Sequence, residues 1–178
     1  MTSWRRLFGR QAPSPSGALR RFFFPRLTGF YLLRVVLVGL VAFVFFRYVC
    51  TPAWTHGQSM DPTYSTGEFV LCWRLRYVFR APRIGDVVLV RLAGPKVMYL
   101  KRIVALGGDS VAFEAGQLVR NGRRVEEPYV SGACSWELPV RTVEAGHVYV
   151  IGDNRRMPMG AHRFGQVSID RLEGGPLW

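Results

Sequence analysis

With 178 residues the chain has room for one membrane segment and one modest domain with a real core, which excludes several large domains. Of 24 Lys and Arg, eight arginines lie in residues 1–50, where there is no acid. The remaining 16 face all 12 acids, so most of the formal +12 charge belongs to the N-terminal end. Cys50, Cys72 and Cys134 are odd in number and form no CxxC pair, which rules out a zinc ribbon and a disulfide-dense scaffold; a Cys72–Cys134 bridge and free thiols both fit.

Residues 1–28 form a basic segment with Pro13, Pro15 and Gly17, expected to be disordered or bound to a membrane surface on the cytosolic side. Such a tail suits nucleic acid, anionic lipid or the orientation of a membrane helix, and the apolar run that follows selects the last two. Residues 29–50 are that run, at about 20 residues enough for a hydrocarbon core of ~30 Å. Arg34 and Arg47 lie near its ends, where both can snorkel. Positive charge before the helix predicts the N-terminus inside and everything after Cys50 outside. An Arg-rich, acid-free start is also the pattern of a mitochondrial presequence, so the mitochondrial inner membrane stands as the alternative to a bacterial cytoplasmic membrane.

Residues 51–178 read as a mainly β domain, antiparallel and partly closed, without long helices or internal repeats. Apolar runs at Glu68–Trp73, Asp86–Arg91, Met98–Val104, Ser110–Phe113 and His147–Ile151 are strand candidates. Asn121-Gly122, between Gln117–Arg120 and Arg123–Val125, is a hairpin signal. Glu126–Arg141, with Pro128, Gly132 and Pro139, reads as an irregular crossing segment. Trp73, Tyr77, Val78 and Phe79 among four arginines read either as core or as a bilayer-facing lip.

Two polar residues in this domain invite chemistry. Ser59 lies in His56-Gly57-Gln58-Ser59-Met60-Asp61-Pro62-Thr63, a turn-forming stretch expected to expose its hydroxyl on a defined loop. A serine oxygen needs a base, and His56, His147, His162 and Lys101 are the candidates. Lys101, in Met98–Val104, shares its strand face with Tyr99 and Ile103, whereas Arg102 faces the other way with Leu100 and Val104. Apolar neighbours on that face lower a lysine pKa and make a neutral proton acceptor; the bland alternative is a solvated strand lysine.

Four collinear pieces carry a family resemblance: Gly57-x-Ser59-Met60-x-Pro62-Thr63, Gly85-Asp86-Val87-Val88, Tyr99-Leu100-Lys101-Arg102-Ile103-Val104-Ala105-Leu106-x-Gly108-Asp109, and Gly152-Asp153-Asn154-Arg155. After a single membrane segment, this order resembles the type I signal peptidases, membrane-bound Ser/Lys proteases. The resemblance implies Ser59 as nucleophile and Lys101 as general base, an acyl-enzyme, no metal or other cofactor, and preprotein signal peptides and the bilayer as partners, with no nucleic acid. It also implies an oxyanion held by the Ser59 backbone N–H, and Met60 beside a shallow pocket for a small side chain. Asp153 and Asn154 are supporting candidates, read equally well as a turn closed by its own side chains.

One stretch departs from the family pattern. Where the family has a serine, then Asp-Ser-Arg, then a glycine, this chain has Pro158, then Gly160-Ala161-His162, then Gly165. Orientation of Lys101 then falls to a backbone carbonyl, a water, Asp153 or His162. The same departure suits an alternative, a weakly catalytic or non-catalytic membrane-tethered module that binds exported chains. His162 by itself reads as a surface or loop histidine.

Overall fold

The computed structural model of the chain describes residues 28–93 and 97–177, so nearly all of the basic 1–28 segment and the Gly94-Pro95 turn fall outside the described residues. The chain divides into two units, residues 1–43 and 44–178. In the first, helix α1 (Gly29–Val44) has no buried residue, and with the π-type turn Phe45–Val49 it makes 21 residues of mean hydropathy 2.4, long and apolar enough to cross a membrane. The Arg34 guanidinium reaches back over the Phe30 ring at 4.7 Å, toward the helix N-terminus, as a snorkelling arginine does.

Among its described residues the second unit holds eleven strands in three antiparallel sheets. The first sheet orders β1 (Cys50–Trp54), β2 (Phe69–Trp73) and β11 (Gly175–Pro176). The second runs β10 (Gly165–Ser168), β9 (His147–Ile151), β4 (Val97–Leu106) and β3 (Val87–Ala93). The third runs β7 (Arg123–Arg124), β6 (Gln117–Arg120), β5 (Ser110–Glu114) and β8 (Leu138–Thr142). A short helix α2 (Arg76–Phe79) follows β2. Bonds from Leu89 N–H to Gly174 O and from Glu173 N–H to Leu89 O tie β3 to the segment entering β11 and so link the second sheet to the first.

Alternation explains the cores. β9 buries four of its five residues because it lies inside its sheet between β10 and β4. Val104, Phe113, Leu118, Trp136 and Ile151 form one cluster; Val88, Val90, Ile103 and Val150 a second; Met60, Tyr64, Val70, Cys72 and Leu89 a third. Arg120 pairs with Arg123 across a two-residue loop in which Asn121 and Gly122 have φ of 53° and 73°, the type I′ geometry that Asn-Gly favours. The irregular reading of Glu126–Arg141 holds only as far as residue 137. Leu138–Thr142 is a strand despite Pro139, because β8 is the sheet edge, where a missing N–H costs no ladder bond. All three cysteines are free.

Candidate active site

Strand β4 organises the site. It is an interior strand, paired with β3 through Val88↔Lys101 and with β9 through Arg102↔Ile151, so its side chains at 101 and 102 project into protein on both faces. Lys101 is 2 % exposed, which settles the choice between a solvated and a buried lysine. Its Nζ lies 2.7 Å from Ser59 Oγ. Burial lowers its pKa to about 8, against a smaller opposing pull from the Asp153 carboxylate.

Ser59 sits in the loop between β1 and β2, part-exposed, with Met60 buried directly behind it. A turn from Gln58 O to Asp61 N–H and a helical turn from Met60 O to Tyr64 N–H fix the loop's shape. The β9–β10 connection then clamps it. Asn154 N–H donates to Ser59 O at 3.1 Å, and the Asn154 side-chain amide donates to Gln58 O at 2.8 Å. Gly152 lies so close that a Cβ built on it would run into the Ser59 carbonyl oxygen and His162 Cε1, so only glycine fits.

Asp153 is fully buried and does more than close a turn. It accepts from Arg102 Nε at 2.9 Å and Nη2 at 2.6 Å, and from Thr63 Oγ1 at 2.6 Å. The register brings the two together: Ile151 ends β9 opposite Arg102, and Asp153 comes two residues later. Lys101 thus touches the serine itself, while Arg102, through Asp153 and Thr63, holds the loop that carries it. Arg102 and Thr63 were not legible as site residues; the signal available was the alternation that puts Arg102 on the face opposite Lys101. Arg155, also buried, donates to Gly152 O at 3.0 Å and forms a two-pronged ion pair with Glu127 at 2.7 and 2.6 Å. A carboxylate–guanidinium pair therefore supports the loop, from residues other than those the family pattern pointed to.

His162 is not a surface histidine. It is 6 % exposed, its ring set edge-on to Trp136 with centroids 4.8 Å apart, and its Nε2–H donates to Asn154 O at 2.7 Å. Burial depresses its pKa. Pro158, by contrast, is exposed, as is His56; His147 lies in β9 with its Nδ1 against Ala145 O. Beside Ser59 opens a cavity of about 310 Å³ whose wall includes Ala53, Met60, Tyr64, Val70, Leu89 and Leu100. Among the described residues, no cluster of three or more His, Cys, Asp or Glu is arranged to hold a metal.

Residues 29–176 match the family described as "Signal peptidase, peptidase S26". The chain is 30 % identical over 153 residues to the probable signal peptidase I-1 of Synechocystis sp., covering 81 % of this chain and 78 % of that one. It is 36 % identical over 133 residues to the mitochondrial ATP-independent inner membrane protease subunit 1a of Arabidopsis thaliana, covering 74 % and 70 %. A crystal structure of a signal peptidase I from Enterococcus faecalis V583 aligns with a TM-score of 0.45 at 24 % identity, over 54 % of this chain and 97 % of that one. The chain belongs to the signal peptidase family: it is a membrane-associated peptidase of the class that removes signal peptides.

Proposed function

We propose that the chain cleaves exported preproteins at their signal peptides by Ser/Lys chemistry, on the outer face of a bacterial cytoplasmic membrane. One observation carries this reading: a lysine shut away from solvent lies 2.7 Å from the hydroxyl of a part-exposed serine that borders an open cavity. With its pKa brought to about 8, roughly one Lys101 in ten is a neutral amine at pH 7. In that form the bond reverses, and Ser59 Oγ–H donates to the Nζ lone pair.

Attack of Ser59 Oγ on the scissile carbonyl moves its proton to Lys101. The resulting ammonium protonates the leaving amine, and the acyl-enzyme forms. Water then takes the place of the amine and loses a proton to the same Nζ, which hands it to Ser59 Oγ as the Oγ–acyl bond breaks and the acid leaves. The tetrahedral oxyanion is assigned to the Ser59 backbone N–H, held in place because Asn154 anchors the Ser59 and Gln58 carbonyls. Met60 and its apolar neighbours line a pocket suited to a small uncharged side chain next to the cut.

The mainly apolar α1 and the eight arginines of residues 1–50 support a single-pass arrangement with the N-terminus in the cytoplasm. Bilayer contact beyond the helix is supported by Val78, Phe79 and Trp54, which are 72 %, 71 % and 61 % exposed. The test uses the full chain in detergent with a preprotein whose residues just before the cut are small. Ser59→Ala and Lys101→Ala should each abolish cleavage while the preprotein still binds. Unchanged cleavage by Ser59→Ala would reject the mechanism.

A further inference from the structure

A lysine that takes a proton through its lone pair still has two N–H groups to place, and a buried Nζ cannot place them in bulk water. Ser59 Oγ satisfies one direction only. Asp153 acts on Lys101 electrostatically without a hydrogen bond to it; its carboxylate accepts instead from Arg102 Nε and Nη2 and from Thr63 Oγ1. The amine therefore needs another acceptor to hold its orientation toward the serine.

His162 supplies one. Its Nε2 faces a backbone carbonyl, which can only accept, so the proton of the neutral ring is on Nε2 and Nδ1 is a bare lone pair. Nδ1 is buried and has no partner among the described residues. His162 and Lys101 also border the same cavity, of about 280 Å³, walled by Val90, Val150, Val167 and Phe164. That space accommodates water, which occupies ~30 Å³ in the liquid. Trp136 and the close approach of Cε1 to Gly152 fix the ring's place.

We propose that His162 is a positioning residue for the base, its Nδ1 accepting a hydrogen bond from Lys101 Nζ through one water in this cavity. The proposal rests on the reading of Lys101 as the general base. An acceptor favours the ammonium over the amine, so its removal weakens orientation and lowers the Lys101 pKa together. Burial lowers the pKa of both groups; the charges around the pair are Asp153, which raises that of Lys101, and Arg155, which adds to the lowering of His162 by burial and by Lys101 itself; Arg163 also borders the cavity.

Two amide substitutions separate this role from a structural one. Asn places its oxygen near the position of Nδ1, whereas Gln places its amide nitrogen near Nε2. In the full chain in detergent, His162→Asn should stay within about threefold of the parent kcat. His162→Gln should lose roughly tenfold in kcat with little change in KM, and the acid limb of its kcat/KM profile should move to lower pH. A residue that merely holds the Asn154 carbonyl gives the reverse order. Equal activities, the reverse order or an unmoved limb overturns the proposal.

A second measurement needs no substitution. ¹⁵N NMR of the histidine-labelled chain should show His162 protonated at Nε2 and bare at Nδ1, and a proton on Nδ1 overturns the proposal. Ser59→Ala keeps the two ideas apart. If it still cleaves, the Ser/Lys reading falls. If it is inactive while Asn and Gln behave alike, only the role of His162 falls.

Discussion

Burying a lysine stabilises its neutral form at the expense of the folded state, and Lys101 shows both sides. Its pKa is about 8 in the fold against 10.5 for a free lysine. Below pH 8 the amine is protonated in both states and the desolvation cost is present in full; between pH 8 and 10.5 the unfolded chain binds more protons, so stability rises with pH. The full cost is on the order of 3 kcal/mol. Lys101→Met should therefore abolish cleavage yet raise the melting temperature measured at pH 7, with the gain shrinking as pH approaches 10. For activity the sign is opposite to that of an acid: kcat/KM should climb with pH and level off above about 8. Asp153→Asn tests the other face of the strand. It leaves Arg102, only 11 % exposed, without its carboxylate, which should cost about 3–5 kcal/mol in urea unfolding. It also removes the group that raises the Lys101 pKa, so whatever activity remains should show an acid limb at lower pH. The sequence placed Lys101 and Arg102 on opposite faces correctly, because strand alternation is local. It did not reveal what Asp153 or His162 touch: Arg102 and Asp153 are 51 residues apart, and the His162 ring reaches the Asn154 carbonyl through an irregular loop that has no periodicity to read.

At the scale of elements, the Ser59–Lys101 geometry depends on where β9 ends. Ile151 is its last residue, Gly152 lies against the Ser59 carbonyl, and Asn154 reaches across to Gln58. Gly152→Ala should leave the three sheets intact by circular dichroism but push the β1–β2 loop away from Lys101. The expected result is a drop in kcat of at least ~10², the size of effect a displacement of about 1 Å produces. Retained activity in a folded Gly152→Ala protein would mean that the loop is positioned by something else. Elements of this kind were readable in part. Strands β2 to β6 and β9 follow from apolar runs and from the Asn-Gly turn, which encodes its own geometry. Strand β8 was missed, since Pro139 reads as a breaker unless one knows that its strand lies on an edge. Strand β11 is a two-residue Gly-Pro pair, for which no periodicity exists.

At the scale of the molecule, the β unit carries an apolar outer surface that none of its own clusters covers. Trp54 and Phe69 face each other across β1 and β2 with ring centroids 5.1 Å apart, and Trp73 stacks on Phe79 at 6.2 Å. Alternation puts Pro52, Trp54, Phe69, Leu71 and Trp73 on this one face, while Ala53, Val70 and Cys72 go to the core. Of the two readings open for Tyr77–Phe79, core and lip, Val78 and Phe79 take the exposed one and Tyr77 is half-buried against the second core. Arginines 74, 80 and 83 border the same region, and aromatic with basic side chains is the composition that settles at a lipid headgroup boundary. If this face docks on the bilayer, it fixes the height of Ser59 above the membrane, where a membrane-held preprotein must present its cut site. Val78→Ser with Phe79→Ser removes two exposed apolar side chains that do not line the Ser59 cavity. Each forfeits on the order of 1 kcal/mol of partial transfer into lipid, so the pair should raise KM for a vesicle-embedded preprotein by roughly tenfold or more. Cleavage of a short soluble peptide in detergent should be unchanged, because nothing near Ser59 and Lys101 has moved. Equal losses on both substrates would instead place the effect in the fold of the β2–β3 connection.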